Sequence, residues 1–377
     1  MMASYHPGVK TWLIALLTTF WAYRKTRNLA IDMIFKTIKG FLLCLPHKQR
    51  SQVVKYLLGR PTKSSRRLVH QTTLPHGSQW DHVASLAKSP LNATWVAGHW
   101  FAKDIQRKKH NSSYYRVHDY VENTINKTAD LVLLYIHGGG FRVGSSTMYP
   151  DFFLRLMHRL EKVHDIHLTI LSLEYDLAPE HDWHRMLDQA NDAFRYLLSL
   201  GVHSSKIIIG GDSAGGHLTG MLLPRLIEQH QPVPLGGIMI SPLVTFDHSS
   251  PSFTQHAAFD CLPDSMMKQD LTELFPELRK ETWQQQLEQW SPLHVDSTGL
   301  PPMLVTYGQR ERFANDVERY ITRLTQQEVD VHVITRHNEP HVYVTSPLLA
   351  STKRAWANDC DKLADWCSQR IKQSDAY

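Results

Sequence analysis

Ile207-Ile208-Ile209-Gly210-Gly211-Asp212-Ser213-Ala214-Gly215-Gly216-His217 decides how this chain is read. A β-branched run favours a strand, and the apolar stretch Leu218 to Ile227 that follows favours a helix. Between them stands a serine with glycines two before and two after, the Gly-x-Ser-x-Gly pattern in its strand-turn-helix context. A sharp turn there strains the serine backbone and brings strand and helix so close that the flanking residues must be small. The hydroxyl is lifted clear of the sheet. The amide of Ala214, first in the helix, is aimed at the place where an oxyanion would form.

A second motif precedes it. Leu131 to Ile136 is a near-continuous apolar run, the signature of a parallel strand buried on both faces, and it ends in His137-Gly138-Gly139-Gly140-Phe141. Three glycines could simply make a flexible loop. They also let backbone N–H groups approach a developing negative charge without intervening side chains. Gly139 and Gly140 join Ala214 as candidate oxyanion donors. Gly138 completes the candidate oxyanion hole and permits the turn, while His137, at the strand end, is read as holding the loop.

A serine hydroxyl needs a neighbouring imidazole, and the imidazole needs a carboxylate to fix its tautomer. With 23 histidines, chain order must narrow the field. In a strand-serine-helix arrangement the acid follows the serine and the histidine comes last. Strand 303–307 is followed by Glu311, and strand 329–335 by His341, so each stands just past the carboxyl end of a strand. Asp316 is the competing acid, read instead as opening a helix whose dipole it complements. His332 lies inside a strand and His337 near its end; Glu339 should face away if His341 faces in. The candidate catalytic set is Ser213, Glu311 and His341.

These residues resemble the hormone-sensitive-lipase-like branch of the α/β-hydrolases. His137-Gly138-Gly139-Gly140 and Gly211-Asp212-Ser213-Ala214-Gly215 match both marker motifs of that group, in order. Tyr175-Asp176-Leu177-Ala178-Pro179-Glu180-His181 resembles its Tyr-Arg-Leu-Ala-Pro-Glu-His segment, Ser241-Pro242 its Ser-Pro signature, and Gly308-Gln309-Arg310-Glu311 its acid loop. The resemblance covers roughly residues 90–345. It implies a carboxylic ester hydrolase of the acetyl or short-acyl type, and the hydrophobic N-terminus makes fungal steryl acetyl hydrolases the most similar members. Three positions depart from the pattern: Asp176 in place of arginine, Glu311 where aspartate is commoner, and Asn338-Glu339-Pro340 before His341. The resemblance leaves two rivals open, an arylacetamide-type amidase and a catalytically inactive ligand-binding protein; His341 argues against the second.

Alternating strands (131–136, 168–175, 206–210, 235–240, 303–307, 329–335) and helices (150–163, 185–199, 214–228, 316–327, 347–370) predict an α/β fold. Its mostly parallel sheet is covered by helices on both faces. Residues 245–301 break the alternation and carry Phe246, Phe253, Phe275 and Trp290, which reads as a cap over the serine with an apolar underside. The expected domains are residues 1–70, basic and apolar helices, and 71–377, the catalytic unit.

The first 67 residues hold thirteen Lys or Arg and one acid, Asp32. Trp12 to Tyr23 is uncharged but shorter than the roughly 20 residues a membrane span needs. Ile31 to Leu45 reads as a basic amphipathic helix. Residues 12–45 therefore point to membrane association, at the endoplasmic reticulum, with a helix packed over the active site as the alternative. Sequons at Asn92, Asn111 and Asn126 favour a lumenal side, and Arg24, Lys25 and Arg27 a cytoplasmic flank; the sequence leaves this open. The aliphatic helices suit lipid better than phosphate, so no nucleic-acid partner is expected. Four cysteines form no framework, since Cys360 and Cys367 sit two turns apart on one predicted helix. No metal-ligand spacing or phosphate-binding loop is present, and no cofactor is expected.

Overall fold

The structure, a computed structural model, describes residues 96–102, 125–262, 271–279 and 281–374. The expected N-terminal helices, the 12–45 segment and the sequons at Asn92 and Asn111 lie outside the described residues. Asn126 is exposed.

Among the described residues, seven strands form one sheet in the order β1-β3-β2-β4-β5-β6-β7. They are β1 (Gly98–Phe101), β2 (Leu131–Ile136), β3 (Leu168–Leu173), β4 (Ile207–Asp212), β5 (Gly236–Ile240), β6 (Met303–Gly308) and β7 (Val331–Arg336). All neighbours pair in parallel except β1, which lies antiparallel along β3. β1 escapes a sequence reading because four residues are too few to show a period, although Trp100 within it is fully buried.

Residue alternation sorts the strand side chains into two cores. Val132, Leu134, Ile209 and Met239 face one cluster, which takes in α2 (Trp183–Ser199), α3 (Ala214–Glu228) and α6 (Ala314–Gln326). Leu133, Tyr135, Ile208 and Ile238 face the other, covered by α1 (Pro150–His164) and α7 (Lys353–Ser374). Between β5 and β6, the described residues of the insertion include the short helices α4 (Pro251–Gln255) and α5 (Trp283–Gln289). Phe246, Phe253, Phe275 and Leu287 from it belong to the first core.

Three helix starts differ from expectation, two of them where a side chain caps the helix. α2 begins at Trp183 because the Asp182 carboxylate accepts from the Arg185 amide and caps it. α7 begins at Lys353, where Thr352 Oγ1 accepts from the Ala355 amide. α6 begins at Ala314, so Asp316 lies inside its first turn rather than at its cap. The described cysteines, Cys261, Cys360 and Cys367, are free.

Candidate active site

Ser213 is the single residue between β4 and α3, with φ 51° and ψ −116°. A positive φ is uncommon for a side-chain-bearing residue and is held here by its surroundings. The Ser213 amide donates to Ile240 O, and its carbonyl accepts from the amides of His217 and Leu243. The glycines flanking the turn are required by contact. A Cβ on Gly215 would stand 1.9 Å from Ile136 O, and one on Gly211 2.5 Å from the Gly215 backbone.

Although 128 residues separate them, His341 Nε2 lies 2.8 Å from Ser213 Oγ, and both side chains are buried. With Nδ1 facing Glu311, the Nδ1–H tautomer leaves Nε2 as the acceptor for the serine proton. Nδ1 stands 3.8 Å from Glu311 Oε1, beyond hydrogen-bond reach. Neither atom has another hydrogen-bond partner, so the pair would bond on closing by about 1 Å. Burial pushes the imidazolium of His341 down. Glu311, then Asp260 and Asp212, outweigh burial and hold its pKa above the ordinary 6.5.

Glu311 follows β6 and is fully buried. Its other oxygen accepts from Ser241 Oγ at 2.6 Å and from the Gly308 amide at 3.0 Å. Ser241 Oγ also accepts from the Val342 amide at 2.9 Å, so one hydroxyl joins Glu311 to the loop that carries His341. Asp316 is directed elsewhere, to Ser250 and Arg319. Glu339 turns away from the serine and accepts from Ser351. His332 and His337 are exposed.

In the glycine loop, Gly139 and Gly140 adopt φ of 120° and 61°, conformations that favour glycine. Among the described residues, the amides of Gly139, Gly140 and Ala214 donate to no acceptor. Gly138 differs from the expectation that it helps form the oxyanion hole. Its amide is already engaged by Asp212 Oδ1 at 2.9 Å, because a glycine there lets the loop close onto that carboxylate. A Cβ on Gly138 would lie 2.2 Å from Asp212 Oδ2. His137 is buried, stacked on Tyr175 with centroids 4.4 Å apart, and its carbonyl accepts from the Tyr175 hydroxyl.

Sequence reasoning gave no role to Asp212, Tyr135 or Tyr149. The Asp212 carboxylate accepts from Tyr135 OH at 2.9 Å and Tyr149 OH at 2.7 Å as well as from Gly138. Burial raises it to about 6 against those three bonds. Asp212 lies inside the quoted motif, but nothing in the sequence announces the two tyrosines, which come from β2 and the start of α1. At Asp176, the departure from the family pattern, the carboxylate accepts from Arg185 Nε at 2.5 Å and Gln189 Nε2 at 3.0 Å. No group of three or more metal-ligating side chains occurs among the described residues.

An esterase of Acinetobacter venetianus is 30% identical over 205 residues, covering 54% of this chain and 65% of the relative. An acetyl-hydrolase of Streptomyces hygroscopicus is 30% identical over 184 residues, 49% of this chain and 58% of the relative. An arylacetamide deacetylase of Oryctolagus cuniculus is 30% identical over 167 residues, 41% and 40% respectively. The chain thus spans less than two thirds of the length of each of these curated relatives. Among solved structures, an esterase of the bacterial hormone-sensitive lipase family superposes with a TM-score of 0.65 at 23% identity, covering 90% of this chain and 98% of that one. A hormone-sensitive lipase from a metagenome library gives the same TM-score and coverage at 24% identity. Residues 133–345 match the profile of the alpha/beta hydrolase fold family. That span is more than half of the 377 residues, and the chain belongs to this family.

Proposed function

We propose that the protein is a serine-dependent carboxylic ester hydrolase for acetyl or short-acyl esters of a lipophilic alcohol such as a sterol acetate. The observation that carries this reading is the 2.8 Å contact between His341 Nε2 and Ser213 Oγ at a strained strand-to-helix turn. Ser213 Oγ attacks the ester carbonyl as its proton passes to His341 Nε2, and Glu311 stabilises the imidazolium. The amides of Gly139, Gly140 and Ala214 receive the oxyanion. His341 then protonates the leaving alcohol, and water repeats the cycle on the acyl-enzyme, releasing the acid and restoring the serine. No step needs a metal or cofactor.

The short acyl group is favoured by the relatives named acetyl-hydrolase and arylacetamide deacetylase. A lipophilic alcohol is favoured by the basic, apolar segment 12–45, through which we place the protein on the endoplasmic reticulum membrane. Among the described residues no helix is long and apolar enough to cross a membrane.

The test is a panel of acetylated sterols, short- and long-acyl glycerols, aryl acetates and aryl amides, presented to the full chain. Aryl acetate hydrolysis is expected, falling on the order of 10⁴-fold or more in Ser213→Ala and His341→Ala. Undiminished activity in either variant overturns the reading. Faster cleavage of aryl amides than of the matching esters replaces it with an amidase. Glu311→Gln is expected to cost far more activity than Asp316→Asn; the reverse order would move the acid to Asp316.

A further inference from the structure

The arm of the insertion at 250–262 is strapped to the acid loop and the base loop. Arg312, next after Glu311, donates from Nε to Phe253 O at 2.9 Å and from Nη1 to Leu262 O at 3.2 Å. Its guanidinium lies 4.2 Å from the Phe253 ring centroid, and that of Arg310 lies 3.8 Å from Phe259. His256 Nδ1 lies 2.9 Å from Glu311 O. At the centre is Asp260, a carboxylate only 1% exposed. Its Oδ1 accepts from the His341 amide at 3.0 Å and the Cys261 amide at 2.7 Å, and its Oδ2 accepts from the Arg312 amide at 2.7 Å.

We propose that Asp260 is a positioning residue for the hydrolysis, holding the backbones of the base and acid loops together from the insertion and setting its charge beside His341. This rests on Ser213, His341 and Glu311 being the reacting set. The geometry gives such a residue work to do. Glu311 spends one oxygen on Ser241 and Gly308 and stands 3.8 Å off Nδ1 with the other, so it does not by itself fix the ring. Phe313, at the end of the acid loop, meets the His341 ring edge-on at 5.1 Å, so a shift of that loop displaces the ring as well. The His341 backbone is tied by Asp260 at its amide and by the Cys261 thiol at its carbonyl, 3.6 Å away.

The charged and titratable groups around His341 are Glu311 with Arg312 on the acid loop, Asp260, Cys261 and His256 on the insertion, and Asp212 at the end of β4. Burial pushes the Cys261 thiol up, so it stays neutral. Glu339, two residues before the base, is engaged by Ser351. An anion near the ring favours the imidazolium, whereas the active base is the neutral imidazole. Removing the Asp260 charge therefore moves the acid limb of the kcat/KM profile to lower pH.

The experiment compares kcat, KM and the pH profile of the full chain with Asp260→Asn, Asp260→Ala and Ser213→Ala, using a short-chain aryl ester. Near-ultraviolet circular dichroism reports folding. Asp260→Asn keeps an oxygen for the His341 and Cys261 amides but loses the charge and the acceptor for Arg312. We expect a kcat about 10-fold lower, KM within about threefold, and an acid limb at lower pH. Asp260→Ala loses all three acceptors and is expected to lower kcat by about 10²-fold while remaining folded. Wild-type kcat with an unmoved limb in Asp260→Asn overturns the proposal. So does a loss in Asp260→Ala that only tracks its unfolded fraction with an unmoved limb in Asp260→Asn. If Asp260→Ala does not fold, Asp260→Asn alone decides. Hydrolysis surviving in Ser213→Ala instead overturns the reaction itself, and this role with it.

Discussion

Asp212 is buried beside Ser213, yet its three partners all donate: Tyr135 OH, Tyr149 OH and the Gly138 amide. Burial disfavours the charge, the donors favour it, and the balance leaves the group at about 6, above the 3.8 of an ordinary aspartate. A carboxyl raised on folding stabilises the fold below its unfolded value and loses that contribution as pH climbs through its folded value. For Asp212 the window is about pH 4 to 6 and the magnitude on the order of 3 kcal/mol. Asp212→Asn carries no charge to bury and keeps an oxygen for Gly138 and Tyr135. Urea unfolding at pH 8 should find it no less stable than wild type. Asp212→Ala orphans three donors, at about 1–3 kcal/mol each, and should be clearly weaker in the same measurement. The proposed base titrates with its own sign. In the proposed reaction His341 works when neutral, and its pKa is raised, so the acid limb of wild-type kcat/KM should lie above pH 6.5; a limb well below that would contradict the carboxylate environment.

At the scale of elements, the turn between β4 and α3 depends on two backbones touching where no side chain fits. Gly215→Ala places a methyl 1.9 Å from Ile136 O, which backbone cannot yield cheaply, and we expect about 3 kcal/mol or more of destabilisation with loss of activity. Gly299→Ala is the control. Its φ of 78° costs about 1 kcal/mol, but a methyl there meets nothing within 4 Å. Equal unfolding midpoints for the two variants would show that close approach is not what the motif glycine serves. The strands were largely legible, since buried parallel strands are continuous apolar runs: β2 was read to the residue, and β5 and β6 to within one. Helix starts shifted where a side chain, Asp182 or Thr352, caps the helix. Such bonds depend on rotamers that periodicity does not report.

For the molecule as a whole, the cover of the second core face combines packing with ion pairs. Arg155 pairs with Asp361 and Arg159 with Asp365 across α1 and α7, all partly exposed. Leu156 and Leu160 of α1 share the buried cluster with Leu363 and Cys367 of α7. Exposed pairs are worth about 0–1 kcal/mol each and weaken with salt, whereas truncating a buried leucine costs about 2–5 kcal/mol. The double variant Asp361→Asn/Asp365→Asn should therefore lower the unfolding free energy less than Leu363→Ala, and its small deficit should shrink in 1 M salt. The opposite ranking in denaturant titrations would mean that charge, not packing, seats α7.

The sequence by itself determined the alternating strand and helix order, the strand-serine-helix turn, the glycine loop and the positions of Glu311 and His341 past strand ends. These are local or chain-order properties: apolar period, small residues at a tight bend, partners in a fixed succession. Only the tertiary structure decided the distances between residues remote in the chain. It put an imidazole against a hydroxyl 128 residues away and left the Glu311 carboxylate 3.8 Å from that imidazole. It also spent the Gly138 amide on Asp212, and brought Asp260 from the insertion onto both loops. Those arrangements arise from how the sheet and the insertion pack, and no window of sequence contains both members of any such pair.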